Sequence, residues 1–140
     1  MDAIVSWQQR MSFTGMSDSG FSVPLGTTAE SGGDDDAVRP VELFLIGLGG
    51  CTGMDVISIL EKKKQNVSAF DIKLHADRSK EHPKVFTAIE IEYIVSGKEL
   101  NREAVERAVQ LSTEKYCPAY AMLSQIAPIS TRITIETDFD

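Results

Sequence analysis

The two cysteines are the residues of this chain whose chemistry is most distinctive. Cys51 lies in the most apolar stretch, residues 43–60 (LFLIGLGGCTGMDVISIL), and Cys117 lies far downstream in the segment KYCPAY. An apolar, glycine-rich setting with one distant partner thiol indicates redox chemistry. The competing interpretation is structural, because free cysteine is among the most buried residue types.

Length, charge and cysteine content limit the classes of protein to consider. The 140 residues, 42% hydrophobic and 25% charged, predict a single globular domain over residues 1–140. The net charge of −7 argues against nucleic acid and against an anionic membrane surface as partners. Two cysteines are too few for a disulfide scaffold and favour a reducing compartment, the cytoplasm. The N-terminal residues MDAIVSW show no signal-peptide pattern.

The N-terminal part predicts three short strands followed by a loop. Residues 4–8, 11–14 and 21–25 have compositions typical of β-strands, and Asp18-Ser19-Gly20 is typical of a hairpin turn. Residues 27–38 (TTAESGGDDDAV) predict a flexible acidic surface loop. The aspartates of this loop do not have the spacing of an EF-hand, so we interpret them as a solvated charge run.

A long helix is predicted from Pro40 to about Lys64. Its glycines cost about 1 kcal/mol each relative to alanine. We therefore predict a break near Gly49-Gly50 and a second helical segment starting near Cys51, whose positive end would favour the thiolate. The segment is long enough to raise the question of a membrane span. Asp55 and the glycines favour a core helix instead.

The C-terminal part predicts two strands, two helices and a final strand. Residues 70–76 and 84–95 alternate apolar and polar side chains, which predicts two strands. Asn101 is predicted to cap a helix that runs to about Tyr116, and Pro118 to start a short helix. Residues 129–136 are predicted to form the last strand. The whole order predicts an α+β fold with mostly antiparallel sheets. A central helix that is apolar on nearly every face must be wrapped on all sides, which favours an intertwined homodimer.

Three segments resemble one known family. The stretch RPVELFLIGLGGCT (residues 39–52) is similar to the central helix of the OsmC/Ohr family, the osmotically induced and organic hydroperoxide resistance proteins. The segments EHPKVF (81–86) and KYCP (115–118) are similar to later landmarks of that family. The resemblance covers nearly the whole chain, and it implies a strand-swapped homodimer in which two sheets wrap paired central helices.

The resemblance also implies a reaction. Cys51 would be the peroxidatic cysteine and Cys117 the resolving one in thiol-dependent reduction of organic hydroperoxides, with active sites at the dimer interface. An external dithiol would reopen the disulfide, and the family uses no flavin, haem or metal for this step. The alternative within the same fold is a non-catalytic dimer that binds a small apolar ligand, with Cys51 structural.

An arginine and a carboxylate would support the thiolate. The family's arginine lies N-terminal to the long helix, where this chain has Arg10 and Arg39. In the best-known peroxidase members the acidic residue directly follows the proline, a position occupied here by Val41, and Glu42 comes one place later. One residue turns a helix by about 100°, so Glu42 need not have the usual orientation. We take Arg39 and Glu42 as the candidate pair, with Arg10 as the other arginine.

Overall fold

A computed structural model describes residues 1–139 of the chain. The polypeptide forms two compact units, Met1–Phe44 and the part that begins at Leu45. Each unit contains a three-stranded sheet, and a long helix starts at the end of the first unit and continues into the second. The predicted α+β class, with two sheets and one long helix, is confirmed.

The first unit is an antiparallel meander. Its strands are β1 (Ala3–Gln9), β2 (Ser12–Ser17) and β3 (Ser22–Leu25), paired in the order β1-β2-β3. The turn between β2 and β3 depends on Gly20, whose φ of 83° lies in the left-handed region that glycine adopts without strain. The Gly20 N–H closes this turn by donating to the Ser17 carbonyl at 3.0 Å.

The acidic segment 27–38 contains a short 3-10 helix at Ala29–Ser31. Ser12 Oγ donates to Asp36 Oδ2 at 2.8 Å, and Asp35 Oδ2 accepts from the Ala29 N–H at 3.3 Å. The segment therefore makes specific polar contacts in this structure. Its flexibility and the single-domain extent of residues 1–140 stay predictions.

The second unit holds the long helix, a mixed sheet and two short helices. Sheet order is β4-β5-β6, with β4 antiparallel and β6 parallel to the central β5. On β5 the side chains Ile89, Ile91, Tyr93 and Val95 are buried, as the alternation predicts. The elements are α1 (Glu42–Lys62), β4 (Asn66–Arg78), β5 (Phe86–Lys98), α2 (Arg102–Leu111), a π turn (Ser112–Tyr116), α3 (Pro118–Leu123) and β6 (Ile129–Thr137).

Helix α1 is continuous, so the predicted break at Gly49-Gly50 is wrong. The reason is packing against the sheet: a Cβ on Gly49 would lie 2.8 Å from Leu74 Cδ1, and a Cβ on Gly53 would lie 2.6 Å from Ile72 Cδ1. These glycines let the helix backbone approach β4 closely. The packing gained in this way offsets the low helix propensity of glycine.

One face of α1 is buried within a single chain, and the expectation that a second copy wraps the rest of the helix stays a prediction. The side chains of Leu48, Thr52, Val56 and Leu60, spaced four residues apart, are completely buried. Ile46 and Met54 are 57% and 74% exposed. A single chain, as far as residues 1–139 describe it, therefore covers only part of this apolar helix. By length and composition alone α1 could also span a membrane.

The two short helices begin where the sequence predicts. The Asn101 side chain accepts hydrogen bonds from the N–H groups of Glu103 and Ala104, which caps α2. Pro118 is the first residue of α3, a position that tolerates its missing N–H. Between the two helices the backbone widens into the π turn.

Candidate functional site

Cys51 lies inside α1, nine residues after the helix begins at Glu42, and is half-buried. The expectation that it starts a helical segment is therefore wrong. The positive field of a helix end falls off within the first turn, so it does not reach a residue this far along. Any support for a Cys51 thiolate must come from side chains.

Cys117 is the residue that occupies a helix start. It is 3% exposed, and its Sγ accepts a hydrogen bond from the Tyr120 N–H at 3.3 Å as the N-cap of α3. The Cys117 N–H donates to the carbonyl of Ser112 at 2.9 Å, which closes the π turn. Both backbone contacts fix the direction of the Cys117 side chain.

The two thiols interact with each other. The pKa of Cys117 is raised, first by burial and then by its hydrogen bond with Cys51. The negative charge of Asp55 raises the pKa of Cys117 further. Both cysteines are free thiols in this structure.

A buried chain of hydroxyl groups lies in the same unit. Ser112 Oγ donates to Asp55 Oδ2 at 2.9 Å, Thr52 Oγ1 lies 2.7 Å from Ser112 Oγ, and the Tyr93 hydroxyl lies 2.8 Å from Thr52 Oγ1. A hydroxyl has one hydrogen to donate, and a carboxylate only accepts. The donation therefore runs from Tyr93 through Thr52 and Ser112 to Asp55. Burial raises the pKa of Tyr93 to about 12, so its phenol remains a donor.

Arg39 and Glu42 form an ion pair at the start of α1. Arg39 Nε lies 2.6 Å from Glu42 Oε1, and the Arg39 N–H donates to the same oxygen at 3.4 Å. The hydrogen bond between the two side chains, together with their opposite charges, lowers the pKa of Glu42 and raises the pKa of Arg39. Glu42 therefore orients Arg39, although it comes one residue after the usual position of the carboxylate.

Arg10 is engaged elsewhere in the first unit. Its Nε donates to Asp34 Oδ1 at 3.1 Å, and one terminal nitrogen donates to the Gly32 carbonyl at 3.2 Å. Its partners are thus in the acidic segment 27–38, whereas those of Arg39 are at the helix start.

Sequence reasoning missed the roles of Thr52, Asp55, Tyr93 and Ser112. A signal was available for Asp55, because it is the only charged residue in the apolar run 43–60 and follows Cys51 by four positions, one helical turn. Thr52 follows Cys51 directly. The contributions of Tyr93 and Ser112 come from other elements, and their hydroxyls carried no local signal.

No candidate metal site is present in the part of the chain that the structure describes. Residues 1–139 bring together no group of three or more His, Cys, Asp or Glu side chains that could hold an ion. His75 instead lies 2.9 Å from Asp77, through Nε2 and Oδ1, on the exposed surface of β4.

The sequence and the fold correspond to a known family of proteins. The chain belongs to the OsmC family, since the model described as "OsmC-like protein" matches residues 33–132. Protein YhfA of Escherichia coli strain K12 is 39% identical over 130 residues, which is 93% of this chain and 94% of YhfA.

Solved structures agree with this assignment. A hypothetical protein from Aquifex aeolicus VF5 is 30% identical, with a TM-score of 0.86 over 99% of this chain and 97% of its own. The organic hydroperoxide resistance protein OhrB of Bacillus subtilis is 19% identical, with a TM-score of 0.63 over 96% of this chain and 98% of its own. The second similarity shows a shared fold.

Proposed function

We propose that this protein is a thiol peroxidase that reduces organic hydroperoxides, with Cys51 as the attacking thiol and Cys117 as the resolving thiol. The observation that carries the proposal is the interaction between the two thiols, which come from distant parts of the sequence. The substrate class is suggested by the B. subtilis protein of the same fold, whose name is organic hydroperoxide resistance protein.

The difference in burial supports the assignment of roles. Burial raises the pKa of Cys117, which therefore retains its proton, whereas Cys51 is the less buried of the two thiols. Attack of the Cys51 thiolate on the distal peroxide oxygen breaks the O–O bond. The products are a sulfenic acid at Cys51 and an alkoxide, which takes a proton to become an alcohol.

The second step uses Cys117. Its sulfur attacks the Cys51 sulfur, the S–O bond of the sulfenic acid breaks, and the hydroxide leaves as water with the thiol proton. An external dithiol then reduces the disulfide and returns both thiols. These steps need only the two sulfurs, the peroxide and the reductant, and a reducing cytoplasm would supply that reductant.

Arg39 is the proposed electrostatic partner of the reaction. A guanidinium can stabilise charge that develops on the peroxide oxygens, and a carboxylate that orients it strengthens this effect. The 2.6 Å contact between Arg39 Nε and Glu42 Oε1 supports this pair over Arg10, whose guanidinium is held by Asp34.

We propose further that the working form is a homodimer with exchanged strands. Exposed apolar side chains support it in both units: Ile4, Val5 and Trp7 on β1 are 58–65% exposed, and Met54 on α1 is 74% exposed. Monomeric proteins rarely expose contiguous apolar surface of this kind. A second copy would cover the uncovered face of α1.

A brief hydroperoxide pulse followed by mass spectrometry tests the function. The reduced protein is mixed with an alkyl hydroperoxide for seconds and then alkylated. We expect a disulfide between Cys51 and Cys117, and we expect continuous hydroperoxide consumption when a dithiol is added. If Cys51 stays reduced with alkyl and lipid hydroperoxides alike, a ligand-binding role with a structural Cys51 replaces this proposal.

A further inference from the structure

Ser112 links the two elements that carry the cysteines. Its side chain contacts α1 twice, donating to Asp55 Oδ2 at 2.9 Å and lying 2.7 Å from Thr52 Oγ1. Its backbone carbonyl accepts the Cys117 N–H at 2.9 Å. One residue therefore connects the helix of Cys51, by its side chain, to the backbone of Cys117.

The contacts of Ser112 are protected from water. Ser112 and Thr52 are completely buried, as is Tyr93 at the far end of the hydroxyl chain. Within residues 1–139, every buried side-chain nitrogen or oxygen has a hydrogen-bond partner. Loss of the Ser112 hydroxyl would remove the acceptor of the Thr52 hydroxyl and the donor to Asp55, while Thr52 would keep its contact with Tyr93. The loss of these buried contacts is costly, so the intact arrangement resists local rearrangement.

We propose that Ser112, anchored by Asp55, is a positioning residue that sets the Cys117 sulfur against Cys51 for disulfide closure. The role of Ser112 in the hydroperoxide reaction rests on the proposed peroxidase function. There it acts on the second step, in which the S–S bond forms, the S–O bond of the Cys51 sulfenic acid breaks and water leaves. It has no part in the attack of Cys51 on peroxide.

The test measures closure without hydroperoxide. The reduced protein is equilibrated with mixtures of oxidised and reduced glutathione, where protein dithiol and oxidised glutathione give protein disulfide and two reduced glutathione molecules. The equilibrium ratio of protein disulfide to protein dithiol, at known glutathione concentrations, gives the effective concentration of Cys117 at Cys51. We expect Ser112→Ala and Asp55→Ala to lower it by at least about tenfold, as loss of a buried hydrogen bond does.

Two further variants separate positioning from general damage. Asp55→Asn keeps an oxygen that accepts from Ser112, so it should lower the effective concentration by less than about threefold. Thr113→Ala is the matched control: it lies in the same π turn, but its hydroxyl donates to the Gln110 carbonyl in the last turn of α2, at 3.3 Å. It should leave the effective concentration unchanged.

The same variants are then examined with an alkyl hydroperoxide. Ser112→Ala should form the Cys51 sulfenic acid at the wild-type rate and convert it to disulfide at least about tenfold more slowly. An effective concentration in glutathione equal to wild type, in a folded Ser112→Ala or Asp55→Ala variant, would overturn the proposal. If Ser112→Ala does not fold, the effective concentrations of Asp55→Ala and Asp55→Asn are compared, and equal values for the two variants would overturn the proposal. Inertness of the wild type towards hydroperoxides would refute only the peroxidase function, because the glutathione result stands independently.

Discussion

The buried Cys117 thiol interacts with the half-buried Cys51 thiol. Cys51 lies in the interior of α1 and Cys117 is the N-cap of α3, so the pair exists only in the folded second unit. Burial also makes the two thiols unequal. Cys117 is 3% exposed and its pKa is raised, whereas Cys51 is the more accessible of the two.

Removing either thiol should stop the reaction at a different stage. Cys51→Ser should lower hydroperoxide turnover by at least about a thousandfold, as loss of a nucleophile does. Cys117→Ser should still consume one equivalent of hydroperoxide and accumulate a sulfenic acid at Cys51, detected by mass spectrometry with a sulfenic acid-specific probe. Full turnover in Cys51→Ser would assign the attack to another group.

The two candidate arginines can be separated by kinetics of the first step. Arg39→Ala should slow Cys51 oxidation by about a hundredfold and Arg10→Ala by less than about threefold, because only the former would lose a donor to the developing charge. Glu42→Gln should have an intermediate effect, since it frees Arg39 without removing it. Stopped-flow measurement of single-turnover oxidation distinguishes these cases. A larger effect of Arg10→Ala would move the role to Arg10.

Stability should fall at alkaline pH because of Cys117. Below the ordinary thiol pKa of 9.0 both folded and unfolded chains hold this proton, and the full stability is present. Above it the unfolded chain loses the proton while the buried thiol keeps it, so the free energy of unfolding decreases by at most about 1.4 kcal/mol per pH unit.

Urea unfolding at a series of pH values measures this slope. Cys117→Ser, which cannot ionise in this range, should have a shallower slope than the wild type. The comparison is best made below pH 10.0, the ordinary pKa of tyrosine, because Tyr93 adds a contribution of the same sign above it. Equal slopes for the two proteins would contradict the assigned direction of the Cys117 pKa.

The exposed face of α1 should be the dimer contact. Met54→Lys places a charge where we expect apolar side chains of a second copy, and it should shift the protein from dimer to monomer in sedimentation experiments, because burial of an unpaired charge is costly. Val85→Lys, at a 52% exposed residue between β4 and β5, is the matched control and should remain dimeric. A wild-type protein that sediments as a monomer would refute the dimer itself.

Much of the fold could be predicted from the sequence because its signals are local. The alternation on β5, the cap at Asn101, the proline at the start of α3 and the turn at Gly20 each depend on a few neighbouring residues, and the structure has all of them. The break in α1 was predicted wrongly, since glycine propensity is local but the contacts of Gly49 with Leu74 and of Gly53 with Ile72 are not.

The site was predictable only in part for the same reason. Cysteines are rare enough in this chain to attract attention, and Arg39 and Glu42 lie close enough in sequence to be considered together. The hydroxyl chain joins Thr52, Tyr93 and Ser112 from three different elements. Serine, threonine and tyrosine are common residues, so their contribution becomes visible only when the tertiary structure brings them together.

The π turn sets the length of chain that leads to Cys117. Its wider backbone lets the Cys117 N–H reach a carbonyl five positions back instead of the four of an α-helix. Cys117 itself is extended and caps α3. Removal of one residue between Ser112 and Cys117 would take away this hydrogen bond and change the direction of the Cys117 side chain, so the placement of this thiol depends on the length of the segment as much as on its composition.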